Sequence, residues 1–254
     1  MTTPTGLPLT RWDGPGPPVV LLHAGVADRR QWEAVGPHLG RTALAYDRRG
    51  YGEAPPLPAG AGHLDDLRAV LEALGEPAWL VGNSMGGALA LDTALELPHL
   101  VAGLVLVGAG VSGLEDLPGY EDPPGAAEAD AALTAAQGTD RQAEADVRFW
   151  LDGPLAPAGR VTGPARALAL DMAGRVTAEE SRSAVGAWDR LAEVVVPVLV
   201  AVGELDEPVT VEISRRLAQR LPGAVLEVLP GTAHLPSLDA PELLVEVVRR
   251  AVGS

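Results

Sequence analysis

The run Ala78-Trp79-Leu80-Val81-Gly82-Asn83-Ser84-Met85-Gly86-Gly87-Ala88-Leu89-Ala90-Leu91 decides how the rest of the chain is read. It begins as an apolar, strand-like stretch and ends as a helix rich in small residues, with a Gly-x-Ser-x-Gly pentapeptide at the junction. A strand that turns straight into a helix drives the corner residue toward positive φ. The positions beside it must then be almost without side chain for the two backbones to pass. Ser84 is expected at the tip of that turn, and the Met85 N–H among the unpaired donors of a helix N-terminus, where negative charge is favoured. Ser84 is thus a candidate nucleophile; the plainer alternative is a Gly-rich turn with a bystander serine.

Outward from this corner, continuous apolar runs recur at Val19–Leu22, Ala43–Tyr46, Trp79–Val81, Leu104–Val107, Val198–Val202 and Val225–Val228. Runs that do not alternate are covered on both faces, as in a parallel sheet sandwiched by helices. Helical segments fit between them at Arg30–Leu39, Leu64–Leu74, Met85–Leu97, Val211–Leu221 and Pro241–Val252, with Asp239 a start signal for the last. The alternation breaks once, in an acidic, Ala-rich, Pro-interrupted stretch where short helices are expected at Ala126–Gln137, Arg141–Leu151 and Ala165–Ala173. The expected architecture is α/β: a mostly parallel central sheet flanked by helices. Its core spans 1–110 and 191–254, and an inserted helical lid, 111–190, lies over the carboxyl edge of the sheet, where open α/β sheets bind ligands.

Composition removes several chemistries. Of 254 residues none is cysteine, and all 19 basic residues are arginine. Disulfides, thiolate metal sites, Schiff-base lysines and the phosphate lysine of P-loops are therefore excluded. A formal charge of -15 argues against nucleic acid, which demands a basic face. The amino-terminal residues lack a basic stretch followed by an apolar one, and no apolar run approaches membrane-spanning length, so a cytoplasmic protein without membrane association is expected. Nothing in the sequence bears on oligomeric state.

A serine hydroxyl needs a base in reach and a group to orient that base. His38, His63 and His99 fall within or beside helical segments and read as surface or helix-end residues. His234, in Gly231-Thr232-Ala233-His234-Leu235-Pro236, comes directly after the last strand and would emerge at the carboxyl edge of the sheet. The loop Gly203-Glu204-Leu205-Asp206-Glu207-Pro208 leaves the preceding strand with three carboxylates; Asp206 is the expected partner, with Glu204 and Glu207 as alternatives. A third loop, His23-Ala24-Gly25-Val26-Ala27-Asp28, can offer a backbone donor to an oxyanion beside Met85. In it His23 reads as structural, and Asp28 as an N-cap.

These pieces resemble, in order and over nearly the whole chain, the α/β-hydrolase fold superfamily. The matching parts are the loop at His23-Ala24-Gly25, the turn Asp47-Arg48-Arg49-Gly50-Tyr51-Gly52, the elbow at Ser84, the acid at Asp206 and the His234 loop. The chain is similar in particular to the small cofactor-free group of carboxylesterases, enol-lactonases and perhydrolases. The resemblance implies Ser84 as nucleophile, His234 as base, Asp206 as orienting acid, and Gly25 and Met85 as oxyanion donors. Many relatives read His-Gly followed by a bulky residue where this chain reads His-Ala-Gly, which leaves both Gly25 and Val26 eligible. It further implies a small-molecule ester or lactone as substrate, no cofactor and no metal. Carbon–carbon bond hydrolysis or acyl transfer on the same triad is the alternative, and a non-catalytic small-molecule receptor a third. Phe149, Trp150 and Trp188, in a chain with 4% aromatic residues, are candidates to line the substrate pocket or to form the lid's own core.

Overall fold

The chain is described by a computed structural model for residues 1–58, 60–114, 116–177 and 184–253. Positions 115 and 178–183 of the expected lid, and 59 and 254 of the expected core, lie outside the described residues. The apolar runs become strands β2 (Val19–Leu22), β3 (Ala43–Tyr46), β4 (Ala78–Asn83), β5 (Val101–Val107), β6 (Val198–Gly203) and β7 (Val225–Leu229), joined by a short β1 (Leu9–Trp12). They form one seven-stranded sheet in the order β1-β3-β2-β4-β5-β6-β7. Every pair is parallel except β1 with β3, where Leu9 faces Tyr46 and Trp12 faces Ala43. β1 lies outside the sequence expectation: a four-residue edge strand reading Leu-Thr-Arg-Trp carries no buried run.

Helices α1 (His63–Leu74), α2 (Met85–Glu96), α3 (Ala126–Ala136), α4 (Gln142–Asp146), α5 (Gly163–Ala173), α6 (Ala187–Arg190), α7 (Pro208–Arg220), α8 (Pro236–Asp239) and α9 (Pro241–Val252) complete the fold. α9 buries Leu244, Val247 and Val248 against one face of the sheet with Trp32 and Val35. α1, α2 and α7 bury Leu67, Leu71, Leu91 and Leu217 against the other. Burying each such side chain stabilises by roughly 1.5–3 kcal/mol.

Two expected helices differ. Arg30–Leu39 is not one helix but two 3-10 turns, Arg29–Trp32 and Gly36–His38. Gly36-Pro37 interrupts it, and Gly36 packs so closely on the Trp12 ring that no Cβ would fit. Arg141–Leu151 begins as α4 but widens into a π-helical turn at Val147–Asp152, a form that recurs at functional sites. Arg148 caps that turn through the carbonyls of Gly153, Pro154 and Ala156.

β3 lies on one side of β2 and β4 on the other, so the loops leaving the carboxyl ends of β2 and β4 flank a crevice. A third buried cluster joins Val147, Leu151 and Met172, from the segment between β5 and β6, to Ala24 and Ala27 after β2 and to Leu235 and Leu238 after β7. That segment therefore packs on the loops at the carboxyl edge of the sheet. Among the described residues no helix is long and apolar enough to cross a membrane.

Candidate active site

Ser84 is the one non-glycine with positive φ among the described residues, at φ 56 and ψ -118. A β-carbon there is strained, and it persists because its surroundings over-determine it. The Ser84 N–H donates to Val107 O at 2.9 Å, and Gly110 N–H donates to Ser84 O at 3.1 Å, clamping the corner to the end of β5. A Cβ on Gly86 would collide with the carbonyl of Leu22, which explains the second glycine of the pentapeptide. Met85 opens α2, so no earlier carbonyl of the helix can receive its N–H.

On the far side of β5, His234 Nδ1 lies 2.9 Å from both carboxylate oxygens of Asp206. The two residues are 4% and 5% exposed, which keeps water from screening the pair. A Cβ on Gly108, just past β5, would fall 2.9 Å from Asp206 Oδ2 and 3.1 Å from His234 Nδ1, so the pair abuts the strand end that holds Ser84. Burial alone would lower the His234 pKa, but the charge and hydrogen bond of Asp206, helped by Glu207, carry it above its ordinary value. The other two carboxylates of the loop are engaged elsewhere. Glu204 accepts from Gly231 N–H at 2.9 Å, and Glu207 from the Thr210 hydroxyl at 2.8 Å. No hydrogen bond joins Ser84 Oγ to His234 among the described residues, a contact that in unliganded enzymes is often long.

A buried amide relay ties these loops together. Ala24 N–H donates to Gln31 Oε1 at 2.9 Å, Gln31 Nε2 to Asn83 Oδ1 at 2.7 Å, and Asn83 Nδ2 to Val107 O at 2.9 Å and His234 O at 3.0 Å. Neither amide is exposed at all. Gly25 stands against the elbow: a Cβ on it would come 2.6 Å from Met85 Sδ. Nothing in the local sequence signals Gln31 or Asn83, because their partners are 52 positions apart.

Below the same loop, His23 and Arg48 are fully or nearly fully buried. His23 Nδ1 lies 2.8 Å from Ala24 O, an acceptor only, so Nδ1 carries the proton and Nε2 accepts Arg48 N–H at 3.1 Å. Burial, then the adjacent Arg48 charge, push the His23 pKa well below its ordinary value. Asp28 caps the first 3-10 turn, accepting from Arg30 N–H at 2.9 Å. His63, expected at a helix end, opens α1 but is drawn inward 6.3 Å from the Tyr51 ring, and burial with Arg48 depresses its pKa to about 4. Asp239 does not cap α9. It pairs with Arg160 at 2.6 Å and accepts Ala233 N–H at 3.0 Å, holding the His234 loop instead.

The aromatic candidates separate. The Trp150 ring lies 4.5 Å from the His234 ring and 4.6 Å from that of Phe149, and Trp150 O accepts His234 N–H at 3.1 Å. Phe149 is buried and borders a cleft of about 540 Å³ that also meets Glu207, Tyr120 and Asp130; Ser84 and His234 do not line it. The structure does not bring Trp188 to this group: it packs on the main core with the Arg220 guanidinium 4.4 Å over its ring. Among the described residues no three His, Asp or Glu side chains converge as a metal would require.

The geometry has parallels among known proteins. The family model described as "Alpha/beta hydrolase family" matches residues 19–247. A 2-hydroxy-6-oxo-2,4-heptadienoate hydrolase of Pseudomonas putida is 41% identical over 126 residues, 42% of this chain and 45% of its own. A thermophilic esterase from Thermogutta terrifontis superposes with TM-score 0.75 at 25% identity, covering 99% of this chain and 96% of that one. Est816, described as an N-acyl homoserine lactone degrading enzyme, superposes with TM-score 0.73 at 28% identity, covering 96% of both chains.

Proposed function

The chain belongs to the alpha/beta hydrolase family, and from that premise we propose that it is a serine hydrolase cleaving a carboxylic ester or lactone through an acyl-Ser84 intermediate. The observation that carries this reading is the strained Ser84 corner beside a buried histidine held by a carboxylate. His234 Nε2 takes the hydroxyl proton as Ser84 Oγ adds to the carbonyl carbon, and the resulting oxyanion is received by N–H groups of Met85 and of Gly25 or Val26. Collapse expels the alcohol with the proton from His234. Water, activated by the same base, then releases the acid. Asp206 keeps the Nδ1 proton in place and stabilises the imidazolium. The segment between β5 and β6 acts as the lid, with Trp150 beside the acyl group, Phe149 packed against the Trp150 ring at 4.6 Å, and Trp188 outside it.

The lactone arm is supported by the 28% identical structure described as degrading an N-acyl homoserine lactone. Carbon–carbon bond hydrolysis on the same residues is the second reading, favoured by the 41% identity to a heptadienoate hydrolase over 126 residues. Acyl transfer would replace the final water by another nucleophile. A fluorophosphonate probe tests the shared step: Ser84 Oγ displaces fluoride from phosphorus while His234 takes the proton. Wild type should be labelled at Ser84, and Ser84→Ala should be unlabelled and lose ester turnover on the order of a millionfold. Labelling at another residue refutes the assignment. Turnover of a panel of chromogenic esters, lactones and vinylogous diketones then separates the two readings.

A further inference from the structure

Arg48 is a buried charge with no counter-charge among the described residues. It is 2% exposed, no carboxylate pairs with it among the described residues, and its Nε is buried without a partner. Instead its guanidinium lies 4.5 Å over the Tyr51 ring and donates through Nη2 to His23 O at 2.9 Å and Ala24 O at 3.2 Å. The Ala24 carbonyl also receives His23 Nδ1–H at 2.8 Å and Ala27 N–H at 3.3 Å. Three donors, one of them cationic, thus converge on a single peptide oxygen. A desolvated ion without a carboxylate partner is costly, so its placement calls for a reason.

The peptide between Ala24 and Gly25 is trans, as are all others described. Its N–H therefore points opposite to its carbonyl, away from Arg48, and the α-carbon that carries it stands against Met85. Donation to a carbonyl from a cation draws electron density along the amide and strengthens the N–H at its other end. We infer that Arg48 is a positioning residue that orients and polarises the Ala24–Gly25 peptide, making Gly25 N–H the second oxyanion donor in preference to Val26. Ala24 N–H is fixed independently by Gln31, so both peptides flanking Ala24 are held. Arg48 does not touch substrate; it acts through one carbonyl.

The inference rests on the serine-hydrolase reading, and its test keeps the two apart. In a trifluoromethyl ketone, Ser84 Oγ adds to the carbonyl carbon, its proton passes to His234, and the carbonyl oxygen becomes an anion in the hole. Arg48→Gln should lower kcat on a short-chain ester about tenfold, less than the hundredfold or more expected for loss of a whole oxyanion donor. KM should stay within about twofold, and the ketone Ki should rise by the same factor as kcat falls. Arg48→Lys, which keeps the charge but gathers its donors on one ammonium nitrogen in place of a planar fork, should recover part of both. If Arg48→Gln does not fold, the lysine variant carries the test through a parallel but smaller loss in kcat and ketone affinity. A kcat loss with unchanged ketone affinity, or a change confined to KM, overturns the role of Arg48 alone. A folded wild type that neither hydrolyses esters nor binds the ketone overturns the serine-hydrolase reading and this inference with it.

Discussion

Replacing Asp206 by Asn changes one atom, and the neighbouring donors dictate how the new side chain must sit. Glu207 N–H donates to Asp206 Oδ1 at 2.7 Å, and His234 Nδ1 lies 2.9 Å from both oxygens. An asparagine would turn its oxygen to the Glu207 N–H and its NH2 to His234, because a backbone donor cannot become an acceptor. Nδ1 would then face an NH2 donor where Oδ2 had been, which favours the tautomer with the ring proton on Nε2, and the nitrogen proposed to take the serine proton would already carry one. With both residues buried no water can relieve this. The expected loss in kcat is about four orders of magnitude, or about 5.4 kcal/mol of transition-state stabilisation. Initial rates on a chromogenic ester give the factor, and a melting curve controls for folding. Glu204→Gln, in the same loop but bonded to Gly231 N–H, should cost far less. An Asp206→Asn protein that keeps more than about one part in a hundred of the activity, or a Glu204→Gln protein that loses more, rules out the tautomer switch; either threshold lies well below the loss expected for a wrong tautomer.

The raised His234 pKa sets a pH profile: the base must be neutral, so kcat/KM should fall as pH drops through a midpoint above the ordinary value of about 6.5. In Asp206→Asn, where burial is left as the largest influence, the residual activity should titrate below that value, and a wild-type profile flat to acid pH would count against a histidine base. Because the Trp150 ring lies 4.5 Å from that of His234, Trp150→Ala should raise kcat/KM for octanoyl relative to acetyl esters by about tenfold. A uniform loss across chain lengths with a large drop in melting temperature would make Trp150 merely a packing residue.

The chain discloses its strands and its elbow because each is a local demand. Val19–Leu22 is buried on both faces and reads so, and a β-carbon held at positive φ needs Gly82 and Gly86 around it. The loops bearing Asp206 and His234 are legible because each comes directly after an apolar strand run, although only β6 is buried; β7, at the sheet edge, leaves Val225 and Val228 exposed, against the expectation of a strand covered on both faces. The features that escape are set at long range. A buried arginine looks like any other in Asp47-Arg48-Arg49-Gly50, and only the fold reveals that Arg49 finds Asp66 at 2.8 Å while Arg48 finds carbonyls. β1 exists because β3 offers it an edge, a cause that lies outside the strand itself, while the π-helical turn is held by its own Arg148 through carbonyls that follow it, a pattern no helical periodicity announces. Asp239, two positions before Pro241, looks like a helix start signal, yet Arg160, 79 positions away, takes it.

Asn83, the unspecified second letter of the pentapeptide, is the joint between the loop after β2, the end of β5 and the His234 loop. Its oxygen receives and its nitrogen gives, and a carboxylate in its place could do only the first. Conversion of that one amide to an acid, by mutation or by slow hydrolysis in a stored preparation, would strip two donors from the interior and leave a charge there. Such a molecule would keep every residue that meets substrate and still lose their common spacing. Ageing of this protein would then appear as vanishing turnover and a mass gain of about one dalton, with Ser84 chemically intact.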